Sequence, residues 1–167
     1  MKLTTLLLIF TFSVFNSCDS FAGESQLEKY VIDFFSQSRP QKMNRALKHV
    51  PMVIYESQEL NFDPLLIGVI ISLESGWNSN AISDDGYNTI GLMQVHPDGP
   101  CSTGYRLKDP RENVQAGLNC LARCRSTCDG TLKQTLTKYA SGRCRSKSER
   151  TKRMIERRIR IYERWKR

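Results

Sequence analysis

Glu74 stands at the end of the most apolar stretch of this 167-residue chain. The preceding residues 64–73 carry no charge and are too apolar for a surface helix, which predicts a buried one. Asp63 suits the N-cap, Pro64 the first helical position, and Gly76 the turn that ends the helix. A carboxyl group among apolar neighbours at the negative end of a helix has a raised pKa and can serve as a general acid. The alternative is a helix-end glutamate that simply reaches solvent.

Short motifs surround Glu74 in a definite order along the chain. They are Asp63-Pro64, Glu74-Ser75-Gly76, Asn80-Ala81-Ile82-Ser83, Gly91-Leu92-Met93-Gln94, Pro97, Asp109-Pro110, Asn113-Val114-Gln115-Ala116-Gly117 and Tyr139-Ala140-Ser141-Gly142. Each motif alone is weak, but together, over about residues 50–142, they resemble the lytic transglycosylase family. The resemblance implies a mainly α, lysozyme-like single domain, related to goose-type lysozyme.

The resemblance also implies the residues of the substrate groove. Those expected to shape the saccharide groove around Glu74 are Ser83, Met93, Gln94 and Tyr139. Gln94 offers a donor and an acceptor to sugar hydroxyl or acetamido groups, and Tyr139 offers an apolar face and a hydroxyl. Ser75 is either a substrate contact or a helix-end residue that orients Glu74, and Met93 is either a groove residue or ordinary core. No metal and no cofactor is expected.

The activity implied by the resemblance is cleavage of the MurNAc-β-1,4-GlcNAc bond of peptidoglycan, with formation of 1,6-anhydro-MurNAc. Glu74 is the expected acid and then the base, so that one glutamate suffices. The first alternative is a hydrolytic lysozyme of the same fold, which needs a second carboxylate such as Asp84, Asp85 or Asp98. The second alternative is a noncatalytic protein that binds the cell wall during assembly of an envelope structure.

Two features depart from the family pattern. Ala140 follows Tyr139, where many relatives have asparagine, and the loop before Gly91 is longer than the common spacing. An acidic residue at the position of His96 would favour a goose-type lysozyme, so the histidine does not support that alternative. These departures leave Glu74 in place and affect the expected groove around it.

The first 22 residues predict a secretory signal peptide. A charged start, Met1-Lys2, precedes an apolar run that is shorter than a membrane-spanning helix needs. Cleavage is expected after Ala22, with lipoprotein processing at Cys18 as the alternative. Residues 23–142 then form the lysozyme-like domain and residues 143–167 a basic C-terminal helix. The protein is therefore expected to be exported and to be periplasmic or associated with the cell envelope.

Hydrophobic periodicity predicts several further helices. One covers residues 24–38, and a short one near residues 43–50 is expected to end at Pro51. Another begins at Asp109-Pro110, and a fourth covers residues 131–139 before Gly142. A small β-hairpin is expected between residues 84 and 95, near the cleft.

Six cysteines occur in the chain, and five remain after removal of the predicted signal peptide. In an exported protein they favour two disulfides and one free thiol. The expected bridges attach the Cys101 loop and the Cys144 segment to the region of residues 120–128, although the sequence alone does not give the pairing. A zinc site built on the thiols is the alternative, but the spacing matches no common zinc module.

Residues 143–167 account for all the excess positive charge of the chain. Residues 143–167 contain twelve Lys and Arg and three Glu, within a chain of net charge +8. An apolar stripe predicts an amphipathic helix whose apolar side packs on the domain while its charges are solvated. The basic side has a secondary attraction to anionic wall or membrane. The expected partners are peptidoglycan strands and no nucleic acid. Family members can serve secretion, pilus, conjugation or phage-entry machinery, and the sequence contains no residue that distinguishes these systems.

Overall fold

The computed structural model describes residues 18–36, 40–84 and 86–167, with side chains from residue 26 onward. These residues form six helices: α1 (Cys18–Ser36), α2 (Pro40–Glu59), α3 (Pro64–Glu74), α4 (Pro110–Thr127), α5 (Leu132–Ser141) and α6 (Glu149–Lys166). The prediction of a mainly α domain is confirmed. Most of the predicted signal peptide lies outside the described residues, and its removal stays a prediction.

Helix α3 is the centre of the fold, because residues 65–72 are all buried and the helix packs against α1, α2 and α6. Its beginning follows the sequence prediction: the Asp63 side chain accepts a hydrogen bond from the Leu65 amide at 2.9 Å, and Pro64 is the first helical residue. Its approach to α1 is close, since a Cβ on Gly68 would lie 2.2 Å from Leu27 Cδ1. Asp63 and Pro64 therefore set the start of α3, and the missing side chain of Gly68 allows the close approach of α1.

Pro51 does not end a helix, and the expectation that it would is wrong. Helix α2 continues through Pro51 to Glu59. A proline inside a helix forfeits a backbone hydrogen bond, which costs about 3 kcal/mol. Buried side chains lie on both sides of Pro51, with Val50 before it and Val53 and Ile54 after it. Burial of each such side chain contributes about 1.5–3 kcal/mol, so packing outweighs the local preference.

The segment between α3 and α4 is irregular in structure. In place of a full hairpin it has two isolated antiparallel bridges, Ile82 to Ile90 and Ile90 to Val95. The buried side chain of Asn113, on α4, fastens this segment by three hydrogen bonds. Its Nδ2 donates to the carbonyls of Ile90 and Leu107 at 2.8 and 3.0 Å, and its Oδ1 accepts from the Met93 amide at 2.9 Å.

Two disulfides join Cys101 to Cys120 and Cys128 to Cys144, and Cys124 is a buried free thiol. Two bridges and a free thiol agree with the sequence prediction. The first bridge ties the loop before α4 to that helix, and the second ties the end of α4 to the segment before α6.

Replacing both Cys128 and Cys144 by serine is expected to lower the free energy of unfolding by about 3 kcal/mol, because the unfolded chain loses a cross-link over a short loop. Urea denaturation of the oxidised protein measures the change. Wild-type protein with a reductant is the reference and should lose at least as much. An unchanged urea midpoint in the double variant would show that this bridge does not stabilise the fold.

Helix α6 packs against α3 and α5, as its apolar stripe predicts. Ile155 and Tyr162 are buried, and the Tyr162 hydroxyl donates to Asp63 Oδ2 at 2.8 Å. The far end of α6 also reaches α1, since Gln26 Nε2 donates to the Trp165 carbonyl at 2.6 Å. Among the described ranges, no helix combines the length and the apolarity that crossing a membrane requires.

Candidate active site

A cleft of about 1260 Å³ opens beside the end of α3. Glu74 forms part of its wall, together with the loop of residues 94–101 and side chains from α4, α5 and α6. The last residue of the central helix therefore lies in a groove that the loops before α4 and three other helices complete. This volume is suited to a ligand of several rings.

Glu74 is the last residue of α3, where the helix turns away through Gly76 at a φ of 58°. Its side chain is 20% exposed, so the carboxyl group is largely desolvated yet reaches the cleft. Burial raises the pKa of Glu74 above its ordinary value, and the nearby Arg158 guanidinium opposes that rise. The direction agrees with the sequence prediction, in which apolar neighbours keep the acid protonated.

Arg158 is a functional candidate that the sequence analysis did not single out. Its Nη2 donates to Glu74 Oε1 at 2.6 Å, and its side chain is only 2% exposed. A signal was present in the sequence: Arg158 lies three residues after Ile155 and four before Tyr162, on the apolar stripe of α6. A lone cation on the packing face of a helix has to have a buried partner, and the sequence does not show which residue that is.

Gln94 lines the cleft, but its side chain is engaged within the loop. Its Nε2 donates to the Gly91 carbonyl at 2.9 Å, and its Oε1 accepts from the Thr89 hydroxyl at 2.9 Å. Its backbone has a φ of 51°, a left-handed conformation that few residues other than glycine adopt. Gln94 therefore holds the cleft loop in shape. Its Nε2 also donates to the Ala81 carbonyl at 3.3 Å, so both of its protons are engaged, while Oε1 keeps a second lone pair that can accept from a sugar hydroxyl.

Ser75, Ser83 and Met93 are not among the described residues that line the cleft. The Ser75 hydroxyl donates to the Ile71 carbonyl at 3.3 Å, and Ser83 Oγ accepts from the Thr89 amide at 3.0 Å. The Met93 side chain is fully buried. In this structure the three residues support the helix end, the loop and the core, respectively, beside the groove.

Tyr139, on α5, lines the cleft and connects it to the loop. Its hydroxyl donates to the Met93 carbonyl at 2.7 Å. Burial raises the pKa of the Tyr139 hydroxyl far above its ordinary value, and the Glu74 carboxylate adds to the rise. Tyr139 therefore stays a neutral hydrogen-bond donor at any physiological pH.

Changing Tyr139 to phenylalanine is expected to lower the free energy of unfolding by about 1–3 kcal/mol, because the Met93 carbonyl is left without its partner. Thermal and urea unfolding measure the loss. Tyr55→Phe is the matched control, since Tyr55 is 52% exposed and should change little. Equal stability of the two variants would show that the hydroxyl of Tyr139 contributes nothing to the fold.

Asp98 is the candidate for the second carboxylate that a hydrolytic mechanism needs. Among the described residues that line the cleft, Glu74 and Asp98 are the two that carry carboxylates. Asp84 is exposed and is not among those residues, and Asp85 lies outside the described part of the chain. His96 also lines the cleft, and its Nδ1 accepts from the Asp98 amide at 3.1 Å. Among the described residues, Asp98 is thus the second carboxylate that the cleft offers to a water-activating mechanism.

Metal ligation has no candidate in the part of the chain that the structure describes, where no three His, Cys, Asp or Glu side chains gather into a possible site. Four of the cysteines are instead oxidised in pairs. The chemistry that Glu74 offers at this site is proton transfer by a largely buried carboxyl group.

The helical fold and the glutamate at the end of its central helix define a lysozyme-like α domain. A sequence model described as "Transglycosylase SLT domain" matches residues 51–160, and the chain belongs to that family. The matched range contains both Glu74 and Arg158.

Relatives with assigned names include membrane-bound lytic murein transglycosylase C of three Haemophilus influenzae strains, PittEE, PittGG and Rd. Each is 38% identical to this chain over 90 residues. The similarity covers 46% of this chain and 24% of each relative, so it spans about a quarter of their length.

Proposed function

We propose that this chain is a peptidoglycan lytic transglycosylase that cleaves the MurNAc-β-1,4-GlcNAc bond and forms 1,6-anhydro-MurNAc. The observation that carries the proposal is Glu74, a largely buried carboxyl group that ends the central helix and borders the cleft. Membership of the SLT family and the names of the relatives support the same reaction.

The proposed reaction uses the Glu74 carboxyl group twice. It first gives its proton to the glycosidic oxygen, so that the C1–O bond breaks and GlcNAc leaves with a free hydroxyl. The resulting carboxylate then takes the proton of the MurNAc C6 hydroxyl, whose oxygen bonds to C1. The proton count on Glu74 is restored, and the attacking group is held in place by the sugar itself, which substitutes proximity for a second catalytic residue.

Mass spectrometry of soluble products tests the proposal. The oxidised protein, without residues 1–22, is incubated with purified peptidoglycan. Anhydro-muramyl products are expected from a transglycosylase. Reducing-end products heavier by one water would assign the chain to the hydrolytic lysozymes and direct attention to Asp98.

A noncatalytic role in wall binding is the second alternative, favoured by the strongly basic surface of α6. Such a protein would sediment with peptidoglycan and release no soluble product. The absence of product, under conditions where a known wall hydrolase works, would support binding over catalysis.

The proposed substrate lies outside the cytoplasm, so we also propose that residues 1–22 direct export to the cell envelope. The envelope assignment is supported by the name of the relatives, which are membrane-bound. We further propose that the exposed cations of α6 attract anionic wall or membrane polymers, in a salt-dependent way. Local opening of the wall would serve assembly of an envelope-spanning machine or entry of a phage.

A further inference from the structure

Arg158 differs from the other cations of α6 in its burial. The helix contains eight Lys and Arg residues, and the other seven are exposed. Arg158 instead lies on the inner face with Ile155 and Tyr162, and contributes to the cleft wall. Its bond to Glu74 joins residues that are 84 positions apart in the chain.

Burial of the Arg158 guanidinium group is a poor way to stabilise the fold. Removing a guanidinium from water costs several kcal/mol, which is offset only when hydrogen bonds satisfy the whole group. Here Nε and Nη1 are buried and hydrogen-bond to no atom of the described residues. Besides Glu74, the hydrogen-bond partner of Nη2 among the described residues is the sulfur of Met154, at 3.6 Å. Buried ion pairs can often be replaced as a whole by apolar residues without loss of stability, so the presence of this pair calls for another explanation.

We propose that Arg158 is a positioning residue for Glu74, whose Oε1 it holds while Oε2 is left to exchange protons with the substrate. The inference rests on the proposed function. The hydrogen bonds found among the described residues engage Oε1 alone, at 2.6 Å, and Glu74 borders the cleft. A fixed Oε1 leaves the carboxyl group one orientation, as both proton transfers require.

Charge makes the contact more than a mechanical support. When Oε2 gives up its proton, the carboxylate that forms already has a cation beside it, which stabilises it. Arg158 thus favours transfer of the Glu74 proton to the glycosidic oxygen. It then keeps the carboxylate in place to take the proton of the C6 hydroxyl.

The charged and titratable groups around Glu74 determine the expected pH dependence. Helix α6 contributes Arg158 and α5 contributes Tyr139, which stays neutral. The remaining groups on the cleft wall are Tyr87, His96, Asp98, Arg123, Cys124, Lys138 and Arg150. Behind the cleft, Lys42 of α2 lies beside Gly76, two residues after Glu74. Of these neighbours, Arg158 is the one that lowers the pKa of Glu74, against the rise caused by burial. Removing the guanidinium therefore raises the pKa of Glu74, and the acid form persists to higher pH.

The test compares Arg158→Gln, Arg158→Lys and the control Arg153→Gln, since Arg153 is an exposed cation of the same helix. Arg158→Gln is expected to lower kcat for peptidoglycan about 100-fold with little change in KM, the effect of a misplaced catalytic group. The alkaline limb of its pH–rate profile should move to higher pH. Arg158→Lys should return the alkaline limb to its wild-type position, because the positive charge is present again, and should recover part of kcat. Arg153→Gln should resemble the wild type.

A second measurement does not depend on turnover. The pKa of Glu74 is read by NMR from its ¹³C-labelled carboxyl group, assigned by the loss of the signal in Glu74→Gln. The titration should move to higher pH in Arg158→Gln and return in Arg158→Lys. Arg158→Met, of similar length and without polar groups, replaces the Gln variant if that variant does not fold.

A folded Arg158→Gln or Arg158→Met protein with the wild-type kcat and an unmoved titration of Glu74 would overturn the inference. A wild-type protein that releases no product, while the titration moves as expected, would refute the proposed function and leave the pairing of Arg158 with Glu74 supported. The two failures are thus distinguishable.

Discussion

Replacing Glu74 by glutamine is expected to lower the rate of peptidoglycan cleavage by about two to four orders of magnitude. Glutamine keeps the size of the side chain but can neither give a proton to the glycosidic oxygen nor take one from the C6 hydroxyl. Both steps of the proposed reaction are lost together. The rate of release of anhydro-muramyl products, followed by mass spectrometry, measures the effect.

Glu163→Gln is the matched control for this experiment, since Glu163 is exposed on α6 and does not line the cleft. The control should retain the wild-type rate. Thermal unfolding shows whether both variants are folded. Activity of a folded Glu74→Gln protein close to that of the wild type would remove Glu74 from the mechanism, and Asp98 would become the carboxylate to test.

Changing Asn113 to alanine is expected to lower the free energy of unfolding by about 3 kcal/mol or more. Its side chain is buried and holds three backbone groups, the carbonyls of Ile90 and Leu107 and the amide of Met93. Without it the Leu107 carbonyl and the Met93 amide lose their partner, whereas the Ile90 carbonyl keeps the Val95 amide at 3.0 Å. A buried polar group left without a partner costs about 1–3 kcal/mol. Urea denaturation measures the loss. Because the released loop carries Gln94, a loss of activity is expected as well.

The control for Asn113 is Asn119→Ala, on the same helix. Asn119 Nδ2 makes one side-chain hydrogen bond, to the Tyr105 hydroxyl at 2.6 Å, and Asn119 is partly exposed. Its removal should cost about 1 kcal/mol. Equal losses in the two variants would show that the three bonds of Asn113 act as no more than one.

Helix α3, which carries Glu74 to the cleft, could be predicted from neighbouring residues in the sequence. Asp63, Pro64 and the apolar run gave α3 and its start, and Glu74 ends that helix as expected. These features follow from neighbouring residues, so they are readable without a structure. Pro51 shows the limit of such reasoning, because a long-range core overrides a local helix breaker there.

Contacts between distant parts of the chain could not be predicted in the same way. The partner of Arg158 depends on how α6 docks on α3, and nothing near residue 158 in the sequence specifies it. Gln94 illustrates a related difficulty. Its residue type suggests sugar binding, but the loop uses its amide for its own backbone, and residue type does not separate these uses.

The long separation between Glu74 and Arg158 has a consequence for the order in which the molecule is made. A growing chain that has been synthesised only as far as residue 148 contains the glutamate, the central helix and the cysteines of both bridges, but not the arginine. Helix α6 also contacts α1 through Gln26 and Trp165, so a segment that is made late completes the packing of one that is made early. The ion pair can therefore form only after residue 158 has emerged, so assembly of the site waits for α6 however early Glu74 and α3 are in place.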